Sequence, residues 1–412
     1  MELLSLIAVV LTLTALAAYL NHRFLGLPVT IGVMGIALLM SLAVLGVDAL
    51  GVPVEPFARE LIGRVDFGKA LMEGMLSFLL FAGALHVKLE DVRERRLSIG
   101  LLATVGVVVS TFLVGTLAWL VLGAFGYRIA YVYCLLFGAL ISPTDPIAVL
   151  GIVKSAGVPR SLEIKIAGES LLNDGVGVVV FLTILGVATG EGEVGAGQVL
   201  ALFLEEAVGG AVFGLLIGYL AYRLLKSIDQ YQVEALITLA LVTGGYALAA
   251  ALGVSGPIAI VVAGVVIGNW GRALAMSGRT RRSLDLFWEL IDEILNAVLF
   301  LLIGLEVLVL DLSGRYLLIG VVMIPLVLGS RFCSVGLPMA VLARFQRFTP
   351  GAVRVLTWGG LRGGISVALA LSLPAGPERG VFLAITYVVV IFSILVQGLT
   401  MPALVRRLVP EE

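Results

Sequence analysis

Within one strongly apolar stretch the chain places Glu169, Ser170, Asn173 and Asp174, in the run Gly168 Glu169 Ser170 Leu171 Leu172 Asn173 Asp174 Gly175. Val176, Gly177, Val178, Val179, Val180, Phe181 and Leu182 follow, and the whole reads as a membrane-spanning helix. Acids inside such a segment are expensive to keep and mark ion pathways or proton relays by default. At helical spacing Ser170 and Asp174 share one face, while Glu169 and Asn173 share the adjoining one. Asp174 is the leading candidate for chemistry. Desolvation raises the proton affinity of a carboxylate and a nearby cation lowers it, so one such group can hold either a proton or a metal ion. That is the minimal device for exchanging the two.

Two further segments carry helix-breaking chemistry inside apolar runs. Ser142 Pro143 Thr144 Asp145 Pro146 interrupts the run from Val132 to Val153, with Asp145 readable either as an ion ligand or as an N-cap ahead of a first-turn Pro146. Gly359 Gly360 Leu361 Arg362 Gly363 Gly364 gives the backbone freedom to unwind and sets a cation at the break. Peptide groups freed in a bilayer must face protein, an ion or water, so such breaks tend to line sites. Ser170 and Thr144 offer the neutral oxygens that a hard monovalent cation needs beside a carboxylate. Glu169 must either keep its proton or meet an arginine. Arg331 and Arg362 are both candidates for it, being deep in apolar runs. Glu306, near the end of a span, reads as an interface residue as readily as a site residue. His22 and His86 lie at span edges, and Arg279, Arg281 and Arg282 read as a topology signal.

The elements that hold these residues follow from composition. The 412 residues are 60% hydrophobic and only 13% charged, with a mean hydropathy of +1.12. Soluble domains are about one quarter charged, so this is an all-α polytopic membrane protein seated in a lipid bilayer. Its 50 glycines and 14 prolines fit close-packed, locally broken helices better than short alternating barrel strands. A net charge of -1 gives no sign of a nucleic-acid partner. Cys134 and Cys333 both fall in apolar runs and indicate neither a disulfide framework nor a metal–sulfur site. No nucleotide-binding fingerprint, zinc motif or cofactor signature appears. Nor does a nucleophile–base pair stand out, so an enzyme is not indicated.

Apolar runs predict thirteen spans, near 3–20, 27–50, 71–87, 97–123, 129–153, 162–188, 199–222, 233–251, 256–271, 288–310, 316–343, 351–373 and 380–404. Met1 Glu2 Leu3 Leu4 lacks a basic leader region and reads as the start of the first helix. With the amino terminus outside and the carboxyl terminus cytoplasmic, two thirds of the 27 lysines and arginines fall in inside loops. The two broken spans are each the fifth of a six-helix set. An offset of seven spans inverts the second set against the first. The expected division is 1–188, a linking helix at 199–225, a second repeat at 233–405 and a short tail at 406–412.

The three motifs together, Ser142–Pro146, Gly168–Gly175 and Trp358–Gly364, closely resemble those of the sodium/proton antiporters of the cation:proton antiporter-1 branch. The resemblance covers nearly the whole chain. It implies a thirteen-helix cell-membrane fold of inverted six-helix repeats with crossed, unwound helices, and a homodimer. It also implies that Asp174 is the cation- and proton-carrying acid, with Asp145, Thr144 and Ser170 as further ligands and no cofactor. Asn173 matches the asparagine of the electroneutral branch, and Glu169 and Arg331 look like the family's buried ion pair. Arg362 is expected to steady the unwound helix or neutralise its dipoles. Ala82, in Leu80 Phe81 Ala82 Gly83, stands where many relatives carry a glutamate, which bears on the choice of sodium over potassium; Glu73, two turns earlier, is a poor substitute. The expected activity is electroneutral one-for-one exchange of sodium, or lithium or potassium, for a proton by competition at Asp174; the alternatives are a cation-coupled symporter of a small solute and a non-transporting scaffold.

Overall fold

The computed structural model describes residues 3–54, 70–145, 160–190, 196–310, 313–344 and 351–408, with 56, 59, 68 and 348 besides. Among the described residues the regular structure is helical throughout, with no strand. α1 (Leu3–Leu20) ends in a π-helical turn at Asn21–Leu25, and α2 (Val29–Ala49) follows. A second π turn, Ala70–Met75, leads into the short α3 (Leu76–Leu85). α4 (Leu89–Ala103) and α5 (Val105–Ala124) make one span interrupted at Thr104, and α6 (Tyr131–Ile141) follows. Next come α7 (Arg160–Ala188), α8 (Ala196–Leu225), α9 (Tyr231–Ala251) and α10 (Gly256–Val266). α11 (Gly278–Glu306) and α12 (Gly314–Leu342) precede α13 (Ala352–Trp358) and α14 (Gly364–Leu371). α15 (Pro377–Phe392) runs through a π turn at Ser393–Gln397 into α16 (Gly398–Leu408).

Every predicted span meets helix in the structure, although the 146–153 half of the fifth lies outside the described residues. Nine helices among the described residues are long and apolar enough to cross a membrane. The remaining four predicted spans are those around α3, α6, α11 and α13–α14. Three of these are short or broken, and α11 carries Glu289, Asp292, Glu293 and Glu306. The chain therefore departs from plain membrane helix in the same elements that enclose the site described below.

One boundary differs from expectation. The tenth span was expected from residue 288, yet α11 starts at Gly278, because the Ser277 hydroxyl accepts from the Thr280 amide and caps the helix there. The basic segment Arg279–Arg282 is thus the first turn of a helix rather than a loop. Trp288, fully buried, then fixes the register of α11. Its indole donates to Thr238 of α9 at 3.0 Å, and its ring lies 4.6 Å from Phe81 of α3.

Buried residues form one large cluster from α5, α6, α7, α12 and the α13–α15 segment, and a second from α3, α8, α9, α10 and the first half of α11. A small third cluster joins α1 and α2 to the end of α11. Between helices in lipid the attraction is close packing rather than hydrophobic burial. Gly214 of α8 shows the requirement: any side chain there would run into the Ala259 carbonyl of α10.

Candidate cation site

α6 stops at Ile141, and Ser142–Asp145 continues without helix. α13 stops at Trp358, and the glycine-rich stretch 359–363 is unwound before α14 begins. The two breaks cross, and the crossing is stitched by backbone: the Asp145 amide donates to the Leu361 carbonyl at 2.7 Å. Gly363 allows this approach, since a Cβ there would overlap the Asp145 carboxylate. Gly363→Ala is therefore expected to displace Asp145 and cut transport about tenfold or more. Initial rates in proteoliposomes beside a melting curve in detergent would check it.

The polar groups freed by the breaks are met by protein. Arg362, buried, donates its Nη1 to the carbonyls of Ser142 and Pro143, the second at 2.9 Å, and its amide bonds Ser393 Oγ at 2.9 Å. Gln397 donates to the Trp358 carbonyl at 2.9 Å, closing the end of α13. Ser142 Oγ returns to the Gly138 carbonyl at 2.6 Å. A bilayer supplies none of these partners, so their presence is what makes the breaks tolerable.

α7 passes beside the crossing and brings its polar face to it. Glu169, Ser170, Asn173 and Asp174 are all buried. The Asn173 amide grips Thr144 twice, accepting from its backbone N–H at 3.1 Å and donating to its hydroxyl at 2.8 Å. Thr144 Oγ1 and Ser170 Oγ share a hydrogen bond of 2.9 Å. Behind this layer Glu169 and Arg331 of α12 form a two-pronged ion pair, 2.5 Å and 2.8 Å, with 1% and 5% of the side chains exposed. Of the two candidate arginines, then, Arg331 neutralises Glu169. Arg362 serves the other broken helix.

Asp174 stands apart from these bonds. Its Oδ1 is buried and has no hydrogen-bond partner. It lines a cavity of about 50 Å³ together with Thr144, Asp145, Asn296, Gly363 and Ser366, with Leu80, Leu171 and Leu299 as apolar wall. Such a volume takes a few waters or a small ion, well short of the ~300 Å³ or more of a drug-sized ligand pocket. Asp174, Asp145 and Thr144 thus meet at one cavity, and Ser170 reaches it through Thr144.

Ala82 is buried, and Leu76, Leu79, Leu80 and Gly83 are the α3 residues that line the cavity. The Glu73 side chain and Pro146 lie outside the described residues. Cys134 is buried and Cys333 exposed, both as free thiols. Asn296, Asp292 and Ser366 escaped the sequence reading. The first two carry the same signal as Ser170 and Asp174, polar residues four apart in an otherwise apolar span.

A model of the transmembrane sodium/hydrogen exchanger family matches residues 9–407. The chain is also 55% identical to the Na+/H+ antiporter NhaP of Pseudomonas aeruginosa, over 98% of this chain and 97% of that one. This chain belongs to the sodium/hydrogen exchanger family. It is a multi-pass membrane protein and a cation/proton antiporter, not an enzyme. A second exchanger, the Na+/H+ antiporter NhaH of Halobacillus dabanensis, is 34% identical over 90% of this chain and 91% of its own. Among solved structures, the exchanger fold of the sodium proton antiporter MjNhaP1 from Methanocaldococcus jannaschii superposes with a TM-score of 0.77. That match covers 100% of both chains at 20% identity.

Proposed function

We propose that this exchanger moves one monovalent cation, sodium ahead of lithium or potassium, against one proton, and that the two compete for Asp174. The observation that carries the reading is the lone carboxylate oxygen of Asp174, buried and unpartnered on a cavity of ion size. A charge so placed is costly, and either a proton or a cation removes the cost. The empty, unprotonated carrier is then the species least able to cross, which couples the two flows. Thr144, Ser170 and Asp145 complete the site.

Electroneutral exchange follows from the neighbours. Glu169 is already neutralised by Arg331, and the residue at 173 is an amide, so one charge is exchanged per cycle. The small cavity favours an ion over an organic solute and speaks against the symporter reading. The charge bias of the loops supports an amino terminus outside and a cytoplasmic carboxyl terminus, and the family resemblance supports a homodimer.

Proteoliposomes holding an imposed pH gradient test the reading. Sodium is expected to dissipate the gradient at a rate that does not change when the membrane potential is clamped at different values. Rates that follow the potential would overturn electroneutrality, and no response to sodium, lithium or potassium at any pH would overturn the assignment of the substrate.

A further inference from the structure

α11 carries a polar stripe that the exchange just described does not use. Asp285, Glu289, Asp292 and Asn296 are spaced four, three and four residues apart, which sets them along one face of the helix. Their surroundings change along the stripe. Asp285 is paired with Arg272, Glu289 is exposed, Asp292 is half-buried and Asn296 is buried on the wall of the Asp174 cavity.

The bonding of Asn296 is one-sided. Its amide nitrogen donates to the Asp292 carbonyl at 2.8 Å, within its own helix. Its Oδ1 is buried and has no partner, and so is the Oδ1 of Asp292 one turn before it. The NH₂ end is bonded to Asp292, through its carbonyl and through its side chain, and the part of Asn296 left without a partner is the oxygen. Buried acceptors without a donor are rare, and a group retained in that condition calls for a water or an ion. Two such acceptors on one face, the Asn296 oxygen belonging to a residue that lines the cavity with Asp174 and Asp145, suit a cation and would suit an anion poorly. A hard monovalent cation is satisfied by carboxylate, amide and hydroxyl oxygens of this kind.

We propose that α11 supplies a second cation-holding step: Asn296 Oδ1 completes the shell of the ion at Asp174, and Asp292 holds the ion one helical turn away as it enters or leaves. The inference rests on the reading of Asp174 as the exchanging carboxylate. It adds a ligand from outside α7 and the two broken helices, and a direction of approach along α11. The ion then passes between neighbouring oxygen sets rather than losing all its water in one step. Removing Asn296 Oδ1 should weaken sodium binding more than it slows turnover.

The test is sodium-driven dissipation of a fixed pH gradient in proteoliposomes, with KM and maximal rate measured for native protein, Asn296→Ala, Asn296→Ser, Asp292→Asn and Asp174→Asn. Asn296→Ala is expected to raise the sodium KM about tenfold, the scale of one lost contact to a charge, with a smaller change in maximal rate. Asn296→Ser keeps an oxygen and should recover part of the loss. Asp292→Asn should raise KM and flatten its dependence on ionic strength. Sodium-induced stabilisation of the purified variants against heat gives an independent readout, and the midpoint of that titration should move with KM.

If Asn296→Ala and Asp292→Asn keep a sodium KM within about twofold of native, while Asp174→Asn is inactive, the α11 site is wrong and the role of Asp174 stands. The unpartnered oxygens would then be met by ordinary buried water. Native protein indifferent to every cation takes down both.

Discussion

Asp174→Asn protein is expected to fold, to insert and to exchange nothing. The amide matches the carboxylate in size, so the packing of α7 against the crossing is kept. It has no charge to give a cation and no proton to release in the working pH range. A contact to a charged group contributes up to about 3 kcal/mol, so losing it weakens cation binding by on the order of a hundredfold. Loss of competition removes the coupling altogether. Stability should move the other way. The substitution deletes a buried carboxylate whose Oδ1 has no partner, so the melting temperature should be no lower than that of native protein. Gradient dissipation in proteoliposomes and a melting curve in detergent together decide it. Sodium-dependent proton flux above about a tenth of the native rate would show that the carrier lies elsewhere.

The second large effect concerns the ion pair behind the site. Arg331→Met leaves Glu169, 1% exposed, without its cation. Breaking a buried pair by removing one partner costs about 3–5 kcal/mol, since an uncompensated charge remains in a dry interior. Replacing both partners by neutral groups of similar volume is often close to neutral. The single variant is accordingly expected to give little monodisperse protein with a lowered melting temperature. The double variant Glu169→Gln/Arg331→Met should recover most of the yield. Its transport tests another point, for Glu169 is also within 3.5 Å of the Asn173 amide that grips Thr144. If Arg331→Met alone is as stable as native protein, the pair is not what holds α7 to α12.

The sequence announces those features that a bilayer makes expensive. Acids in the run Gly168–Gly175, Pro143 ahead of Thr144 and Asp145, and four glycines around Leu361 and Arg362 all violate what an apolar helix prefers, and the structure gathers them at one crossing. Partner choice is less legible. Arg331 and Arg362 look alike in sequence, each a cation in an apolar run, and only the placement of α12 beside α7 assigns Glu169 to the first. Asn296 was hidden for another reason. A single amide in an apolar helix ordinarily bonds its own backbone, and its nitrogen does so here; the significance of its oxygen depends on the cavity that α3, α7 and α14 close around it. The early start of α11 was written in Ser277, but hydropathy averages over windows and does not register a cap.

The grip of Arg362 on the end of α6 has a consequence for biosynthesis. The Ser142 and Pro143 carbonyls lie 220 and 219 residues ahead of the guanidinium that satisfies them. At about 5–20 residues per second, a ribosome needs roughly 10–40 s to make that stretch. Throughout this interval the first broken helix sits in the membrane with its carbonyls dependent on water, lipid headgroups or the insertion machinery. The break after α6 therefore gains these partners only once Arg362 has been made, whereas the break after α13 draws on Ser393 and Gln397, 31 and 39 residues beyond the groups they bond.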